Sequence, residues 1–294
     1  MYLPLNRGED LLGFCRQLGF SKMNCTAAEK DQKKRFEGIY ERGQLPVIRD
    51  IERRVFGSDY GANSWTTRAE ADDICQLLEL RSGHRLLDVG AGSGWPGLYM
   101  AKQSGCDVVL VDMPRAALGM AVDRAVQDQL SNRSWASVAD AASLPFGNAV
   151  FDAVSHSDIL CCLSRKRETL VSCRAVLRPG GRMAFTVVAL SPGLSTVDTL
   201  RAIESGPEFV DSPVGYAELL EQTGWRILEY RDLTPECARL CRQLSKSDQE
   251  RKEDLLAAIG QDGFEERQTI WKSRLEAIAE GLLRREFFVA TPFD

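Results

Sequence analysis

The chain has 294 residues, of which 44% are hydrophobic and 27% are charged. This composition is typical of a globular protein in water, and the length suffices for one large domain or for one domain with a cap. The formal net charge of -5 disfavours a protein that grips the phosphate backbone of DNA or RNA. We therefore expect no nucleic-acid partner.

The cysteine and hydropathy patterns exclude several further classes. Nine cysteines, an odd number, lack the spacing of a disulfide framework, and with only two histidines a zinc site is not expected. No basic and apolar leader opens the chain, and no apolar stretch reaches the roughly 20 residues that a membrane span requires. We expect a cytoplasmic protein without bound metal or membrane partner, as a monomer or a homodimer.

The first 70 residues have the pattern of a helical cap. Apolar side chains recur at helical spacing within residues 9–20 and again from Leu45 to Phe56. Such stripes are most simply packing faces. We expect residues 1–70 to cover the ligand cleft of the domain that follows.

The cap ends in residues 56–67, which are rich in glycine and small polar residues. This composition suits a loop that closes over a ligand. Tyr60 and Trp65 either contact that ligand or anchor the loop on the core, and the sequence does not separate the two. Both are candidate substrate or lid residues.

Residues 71–294 are predicted to form the main domain, because amphipathic helices alternate there with apolar strands. This alternation predicts a doubly wound parallel sheet. Helices are predicted over 68–80, 98–104, 114–130 and 164–177. Strands are predicted over 85–89, 107–111, 135–139, 150–155 and 182–189. Ligands of such sheets bind beyond the carboxyl ends of the strands, so the candidate site residues follow those ends.

The first of these strands ends at Asp88 and breaks into Gly90-x-Gly92-x-Gly94. Glycine suits a turn in which a strand passes straight into a helix and a ligand touches the main chain. The overlapping segment Gly92-x-Gly94-x-x-Gly97 also satisfies a dinucleotide fingerprint, with Asp112 as the ribose-binding acid. However, a carboxylate at the strand end sits badly beside a pyrophosphate and well beside the ammonium and sulfonium groups of S-adenosylmethionine. S-adenosylmethionine is therefore the favoured ligand, and a dinucleotide stays an alternative.

The segment Asp88-x-Gly90-x-Gly92-x-Gly94 resembles motif I of the class I S-adenosylmethionine-dependent methyltransferases. Two later acids also match that family. Asp112 would accept both ribose hydroxyls, and Asp140, ahead of a Leu-Pro-Phe sequence, would accept from the adenine amino group. The resemblance thus implies S-adenosylmethionine as the cofactor, and it assigns cofactor binding to Asp88, Gly90, Ala91, Gly92, Gly94, Asp112, Met113, Asp140, Ala141 and Ser155.

In this family, groups of the segment after the fourth strand face the methyl group and the acceptor. In this chain the segment lacks the motifs of methyltransferases that act on nucleic-acid bases. A hydroxyl acceptor would need a general base, and His156 is the nearby side chain with a suitable ordinary pKa. Asp158 would orient that imidazole or bind a cationic acceptor. Alternatively, the ring of His156 only packs. Cys162, a further candidate substrate or lid residue, stands where phosphoethanolamine methyltransferases carry a histidine, so a His-Tyr latch of that type is not expected.

The last hundred residues depart from simple alternation. A helix is predicted over 214–224 and strands over 226–232 and 284–290, with charged helices over 235–280 between those strands. The resembled family closes its sheet with an antiparallel hairpin, so these helices would be an insertion inside it. Such an insertion is either a solvated helical pair or a lid that brings Trp271 over the acceptor.

The expected fold is therefore an α/β, Rossmann-like, doubly wound seven-stranded sheet with an antiparallel last hairpin, a helical cap and a helical insertion. The layout is similar to small-molecule methyltransferases of the phosphoethanolamine and sarcosine types. We expect methyl transfer to nitrogen or oxygen of a small-molecule acceptor by in-line displacement. A non-catalytic or regulatory S-adenosylmethionine-binding protein and an NAD(P)-dependent oxidoreductase are the alternatives, because fold alone does not fix function.

Overall fold

A computed structural model describes residues 26–61 and 65–293. The helix predicted over 9–20 lies outside these ranges. The described chain begins with three helices that precede the sheet. These are α1 (Ala27–Gly43), α2 (Pro46–Phe56) and α3 (Arg68–Leu77). α1 and α3 each begin with a capping box, in which Thr26 and Thr67 exchange hydrogen bonds with the glutamate three residues later.

The sheet has seven strands in the order β3-β2-β1-β4-β5-β7-β6. Strands β1 to β5 pair in parallel, and β7 is antiparallel to both β5 and β6, so the expected fold is confirmed. The strands are β1 (Arg85–Val89), β2 (Asp107–Asp112), β3 (Ser134–Val138), β4 (Phe151–Ser157), β5 (Leu177–Leu190), β6 (Trp225–Asp232) and β7 (Leu283–Pro292). Strand β5 begins earlier than predicted because Leu177 pairs with Phe151 ahead of a bulge.

Helices connect the strands and cover both faces of the sheet. They are α4 (Gly97–Ser104), α5 (Arg115–Gln127), α6 (Lys166–Val176), α7 (Thr196–Ser205), α8 (Tyr216–Gln222), α9 (Thr234–Glu250) and α10 (Lys252–Ala279). α10 is interrupted at Gly260, whose φ of 73° and ψ of 177° are open essentially to glycine alone. In the described part of the chain, no helix combines the length and the apolar character needed to cross a bilayer.

The core lies on the two faces of the sheet. Leu86, Val108 and Leu110 point to the face covered by α3, α4 and α5. Leu87 and Val109 point to the opposite face, which α6, α7 and α8 cover. Strands buried on both faces read as continuous apolar runs, which is why their positions could be predicted.

A third apolar cluster joins α2 to the helices inserted between β6 and β7. It comprises Val47, Ile48, Ile51, Phe56, Leu240, Leu244, Leu255, Phe264 and Trp271. The inserted helices therefore pack against a helix that precedes the sheet. The alternative of a solvated helical pair is wrong.

A buried ion cluster ties distant parts of the chain together. Arg285 of β7 has a fully buried side chain, and its guanidinium contacts two carboxylates. Its Nη2 lies 3.1 Å from Oδ2 of Asp158, and its Nη1 lies 3.0 Å from Oε1 of Glu70. Burial lowers the pKa of Arg285, but the two carboxylates raise it above its ordinary value. The cluster fixes the segment after β4 and the start of α3 against the last strand.

Replacing Arg285 with methionine should lower the free energy of unfolding by about 3–5 kcal/mol, because the variant leaves two largely buried carboxylates without their partner. Urea unfolding measures this loss. The matched control is Arg231→Met, since Arg231 and Asp73 form an ion pair with side chains 39% and 53% exposed. That change should cost about 0–1 kcal/mol. Similar losses in the two variants would contradict the assignment.

Candidate functional site

A cavity of about 960 Å³ lies over the carboxyl ends of the parallel strands. The segments after β1, β2, β3 and β4 form its floor, and α1, α2 and α10 contribute the other walls. The volume lies within the range of small-molecule sites, and the position is the one that doubly wound sheets use for ligands. The sequence prediction of where to look for the site therefore agrees with the structure.

The glycine segment after β1 turns its backbone toward this cavity. Gly90 and Gly92 have φ values of 72° and 53°, in the left-handed region that favours glycine. A Cβ atom on Gly92 would lie 2.6 Å from the hydroxyl of Tyr40, so the close approach of α1 also requires glycine. Gly90, Ala91 and Gly92 all line the cavity, as predicted for cofactor-binding residues.

Gly94 has a different role. Its φ is 98°, and a Cβ atom there would collide with Leu98 and crowd Ala121, which lie on α4 and α5. The residue packs against these helices and does not line the cavity. The prediction that Gly94 contacts the cofactor is therefore corrected to a packing role.

Asp88 and Ser155 support the loop from below. Asp88 is 1% exposed, and its carboxylate accepts a 3.2 Å hydrogen bond from the Gly97 N–H and a 2.7 Å bond from Ser155 Oγ. Neither side chain lines the cavity. The prediction that Asp88 and Ser155 contact the cofactor directly is therefore corrected to a role in supporting the loop. The physical reason is the start of α4, whose free N–H and positive dipole end attract the carboxylate. Burial raises the pKa of Asp88 to about 7.

Asp112 lies at the end of β2, on the cavity wall beside Met113. Its two carboxylate oxygens accept 2.7 Å hydrogen bonds from the N–H groups of Gly92 and Met113. These bonds hold the carboxylate in place and leave further lone pairs for a ligand. Desolvation raises the pKa of Asp112 to about 6. The structure thus brings this predicted acid against the glycine segment.

Asp140 and Ala141 follow β3 and also line the cavity. Oδ1 of Asp140 accepts a 2.9 Å hydrogen bond from the Ala142 N–H, which starts a short helical turn. Its other oxygen pairs with Arg165. Nothing in the sequence indicates this ion pair, and a purine amino group at Asp140 would share the carboxylate with it.

His156 is not brought to the cavity. It is 1% exposed within β4, and its ring stacks on Phe185 at a centroid distance of 4.5 Å. Both ring nitrogens are buried without a hydrogen-bond partner among the described residues. Burial lowers the pKa of His156 to about 3, so the ring is neutral and far from any acceptor. The hypothesis of a general base at His156 is therefore not supported, and the packing alternative fits.

Asp158 does line the cavity, but its carboxylate points at Arg285. The expectation was that this carboxylate would orient the imidazole of His156 or bind a cationic acceptor. The backbone of Asp158 has a φ of 54°, a conformation that the ion pair with Arg285 helps to hold. The predicted role of orienting an imidazole is corrected to a structural one.

The four candidate substrate or lid residues separate into two groups. The hydroxyl of Tyr60 donates a 2.8 Å hydrogen bond to Asp128, and its ring lies 5.3 Å from that of Trp95, so Tyr60 anchors the loop and does not line the cavity. Trp65, Cys162 and Trp271 do line it. The two indoles meet edge to face, with ring centroids 5.8 Å apart and an interplanar angle of 86°.

Two cavity residues had no signal in the sequence analysis. Tyr40 of α1 lies directly on Gly92, and burial together with the nearby Asp112 raises the pKa of its hydroxyl well above its ordinary value. Arg274 of α10 lies over the ring of Trp65. Both reach the site through contacts between distant segments. Among the described residues, no group of three or more His, Cys, Asp or Glu side chains could hold a metal ion.

The pKa of Asp88 leads to a pH-dependence. The folded protein keeps the Asp88 proton up to about pH 7, whereas the unfolded chain releases it near the ordinary value of 3.8. Since the folded state binds more protons in this window, wild-type stability from this group falls as the pH rises from about 4 to 7. Asp88→Asn does not titrate, so its stability relative to wild type should rise across that window by on the order of a few kcal/mol.

Urea unfolding at several pH values between 4 and 8 measures this difference. Ser155→Ala is the matched control, because it removes a hydrogen bond from the same carboxylate and keeps the titrating group. Its pH profile should fall as in the wild type. Parallel profiles for Asp88→Asn and wild type would show that Asp88 does not carry the effect.

Comparison with known proteins was consistent with this geometry. Residues 87–185 match a family model described as a methyltransferase domain. Phosphoethanolamine N-methyltransferase 1 of Zea mays is 24% identical over 238 residues, which cover 81% of this chain and 47% of the relative. The chain thus spans about half the length of that relative. The 27-O-demethylrifamycin SV methyltransferase of Amycolatopsis mediterranei is 32% identical over 163 residues, covering 54% of this chain and 60% of the relative.

A solved structure shows the same fold. Phosphoethanolamine N-methyltransferase 2 of Haemonchus contortus, in complex with phosphomonomethylethanolamine and S-adenosylhomocysteine, superposes with a TM-score of 0.73. The match has 22% sequence identity and covers 88% of this chain and 60% of that chain. Sheet order, glycine loop, matched domain model and relatives agree in one respect: the chain is similar to the class I S-adenosylmethionine-dependent methyltransferases.

Proposed function

We propose that the chain binds S-adenosylmethionine in this cavity and transfers its methyl group to a nitrogen or oxygen atom of a small molecule. The observation that carries the proposal is the glycine segment whose backbone lines the cavity beside the oriented carboxylate of Asp112. Asp112 accepts from the ribose hydroxyls. Asp140, Ala141 and Met113 lie beside the purine.

The residues present fit this cofactor better than a dinucleotide. In dinucleotide sites the N-terminus of the first helix receives the pyrophosphate. Here the Gly97 N–H at the start of α4 donates to the carboxylate of Asp88. The carboxylate of Asp112, at the end of β2, accepts from the Gly92 N–H of the glycine loop. A pyrophosphate would find the Gly97 N–H occupied and would meet the acid Asp112 on the cavity wall, whereas a cofactor with a sulfonium and an ammonium carries the opposite charge.

Chemically, the bound cofactor supplies a methyl group on a sulfonium, a leaving group that is already activated. The protein has to align the acceptor with that methyl and exclude water. An amine acceptor in its neutral form attacks with its own lone pair and needs no base. Because His156 is buried away from the cavity, a hydroxyl acceptor loses its proton to another group or to water.

Residues 1–70 act as a cap in this proposal, residues 71–294 form the main domain, and residues 235–280 form a lid. The support is that α2 packs on α9 and α10, and that helices from both regions line the cavity. Trp65, Trp271 and Cys162 then contact the acceptor.

We also propose the compartment, the partners and the assembly of the protein. The described cysteines are free thiols, which fits a reducing compartment such as the cytoplasm. The net charge of -5 argues against a nucleic-acid partner. The proposed assembly is a monomer or a homodimer.

The proposal is tested in two steps with the purified chain. Isothermal titration with S-adenosylhomocysteine should give saturable binding, and titration with NADH should give none. S-adenosylmethionine is then incubated with pools of small amines and phenols, and formation of S-adenosylhomocysteine should exceed the rate without acceptor. Binding without transfer to any pool would favour the non-catalytic alternative. NADH binding in place of S-adenosylhomocysteine binding would favour the oxidoreductase.

Asp112→Ala should weaken S-adenosylhomocysteine binding by about 1–3 kcal/mol, because a charged hydrogen-bond partner of the ribose is lost. Titration calorimetry measures the change. Asp107→Ala is the control, since Asp107 lies at the other end of β2, away from the cavity, and its removal should leave the affinity unchanged. Equal affinities for the wild type and Asp112→Ala would count against the ribose contact.

A further inference from the structure

The acceptor side of the cavity contains a guanidinium with unused donors. Arg274 lines the cavity from the second half of α10, with its guanidinium carbon 5.6 Å from the centroid of the Trp65 ring. Its Nε and Nη1 atoms are buried and have no hydrogen-bond partner among the described residues. A guanidinium keeps its charge at all ordinary pH values and has only donors. Leaving buried donors of a charged group unpaired is costly, so this group is suited to a bound acceptor atom.

Three arginines on the cavity wall are already paired, and the remaining cations there, Lys30, Lys33 and Arg42 of α1, are exposed or half-buried. Arg267 donates two hydrogen bonds of 3.0 and 2.8 Å to the buried carboxylate of Asp248. Arg165 pairs with Asp140, and Arg35 lies 3.4 Å from Glu208. Arg274 differs from these three because it forms no ion pair within the described part of the chain. Its positive charge is therefore not neutralised by a neighbouring carboxylate of the residues that the structure describes.

The surroundings of Arg274 are mainly apolar. The edge-to-face pair of Trp65 and Trp271 stands beside it, and Ile48, Ile51 and Leu244 line the same cavity. Glu52, a buried acid of α2, also lines this cavity and already has an interaction partner. Aromatic and aliphatic walls beside a guanidinium without an ion pair in the described chain match a molecule with an apolar body and one anionic end.

We propose that Arg274 binds the anionic group of the methyl acceptor, and that the acceptor is an aromatic or aliphatic molecule carrying a carboxylate. This inference rests on the proposed function and names the substrate class of the same site. Trp65 and Trp271 hold the apolar body. A carboxylate pairs with the guanidinium of Arg274 in a charge-assisted contact, which is about twice as strong as a neutral hydrogen bond.

The test compares two probes that differ in charge, 2-naphthoate and its neutral amide 2-naphthamide, on wild-type protein saturated with S-adenosylhomocysteine. Titration calorimetry should show naphthoate binding at least about tenfold more tightly. In Arg274→Gln this preference should disappear, while the affinity for S-adenosylhomocysteine stays within about twofold, the scale of a change that removes no contact. Arg274→Lys keeps the charge and should keep part of the preference.

Arg35→Gln is the matched control. It removes one positive charge from the same cavity, but Arg35 is paired with Glu208 and its side chain is 53% exposed, so the naphthoate preference should remain. Equal affinities of the two probes for the wild type would overturn the inference without any variant. A preference that survives in Arg274→Gln would also overturn it, and so would loss of S-adenosylhomocysteine binding there, which would assign Arg274 to the cofactor. If wild type does not bind S-adenosylhomocysteine, the proposed function itself fails.

Discussion

The geometry around the cavity depends on one buried charge, the guanidinium of Arg285. An ion in a protein interior costs several kcal/mol unless partners of opposite sign satisfy it, and here the partners come from two distant segments. Asp158 belongs to the cavity floor, and Glu70 belongs to the first turn of α3, next to the loop that carries Trp65. Floor, loop and last strand are thus held by the same group. Since β7 follows α10 directly, this group also fixes where the inserted helices return to the sheet.

Asp88 influences which ligand the glycine loop can bind, although its side chain does not line the cavity. Asp88 occupies the N–H that a phosphate would need at the start of α4, and it does so from within the core. Asp112, at the end of β2, places a second acid against the same loop, on the side of the cavity. An acid placed beneath a loop can therefore disfavour one class of cofactor by occupying the N–H that this class would need.

The sequence predicted the sheet well, and it predicted that Gly90, Ala91, Gly92 and Asp112 lie at the carboxyl ends of the strands, because both depend on local patterns. Strands buried on both faces leave apolar runs, and Gly90 and Gly92 are required by their backbone angles. His156 was interpreted incorrectly because β4 was expected to end at residue 155, whereas it continues to Ser157 and keeps the ring inside the sheet. Arg285 and Tyr40 act through contacts across the chain, which no local pattern records.

The interruption of α10 determines what the cavity wall can present. A straight helix of 28 residues would extend about 42 Å. At Gly260 the axis changes direction, so the first half can pack Leu255 on α2 while the second half carries Trp271 and Arg274 along the cavity. Moving this bend by one position along the chain would rotate the second half by about 100° relative to the first. The identity of the side chains that line this wall of the cavity is therefore encoded partly in the placement of a single residue that has no side chain.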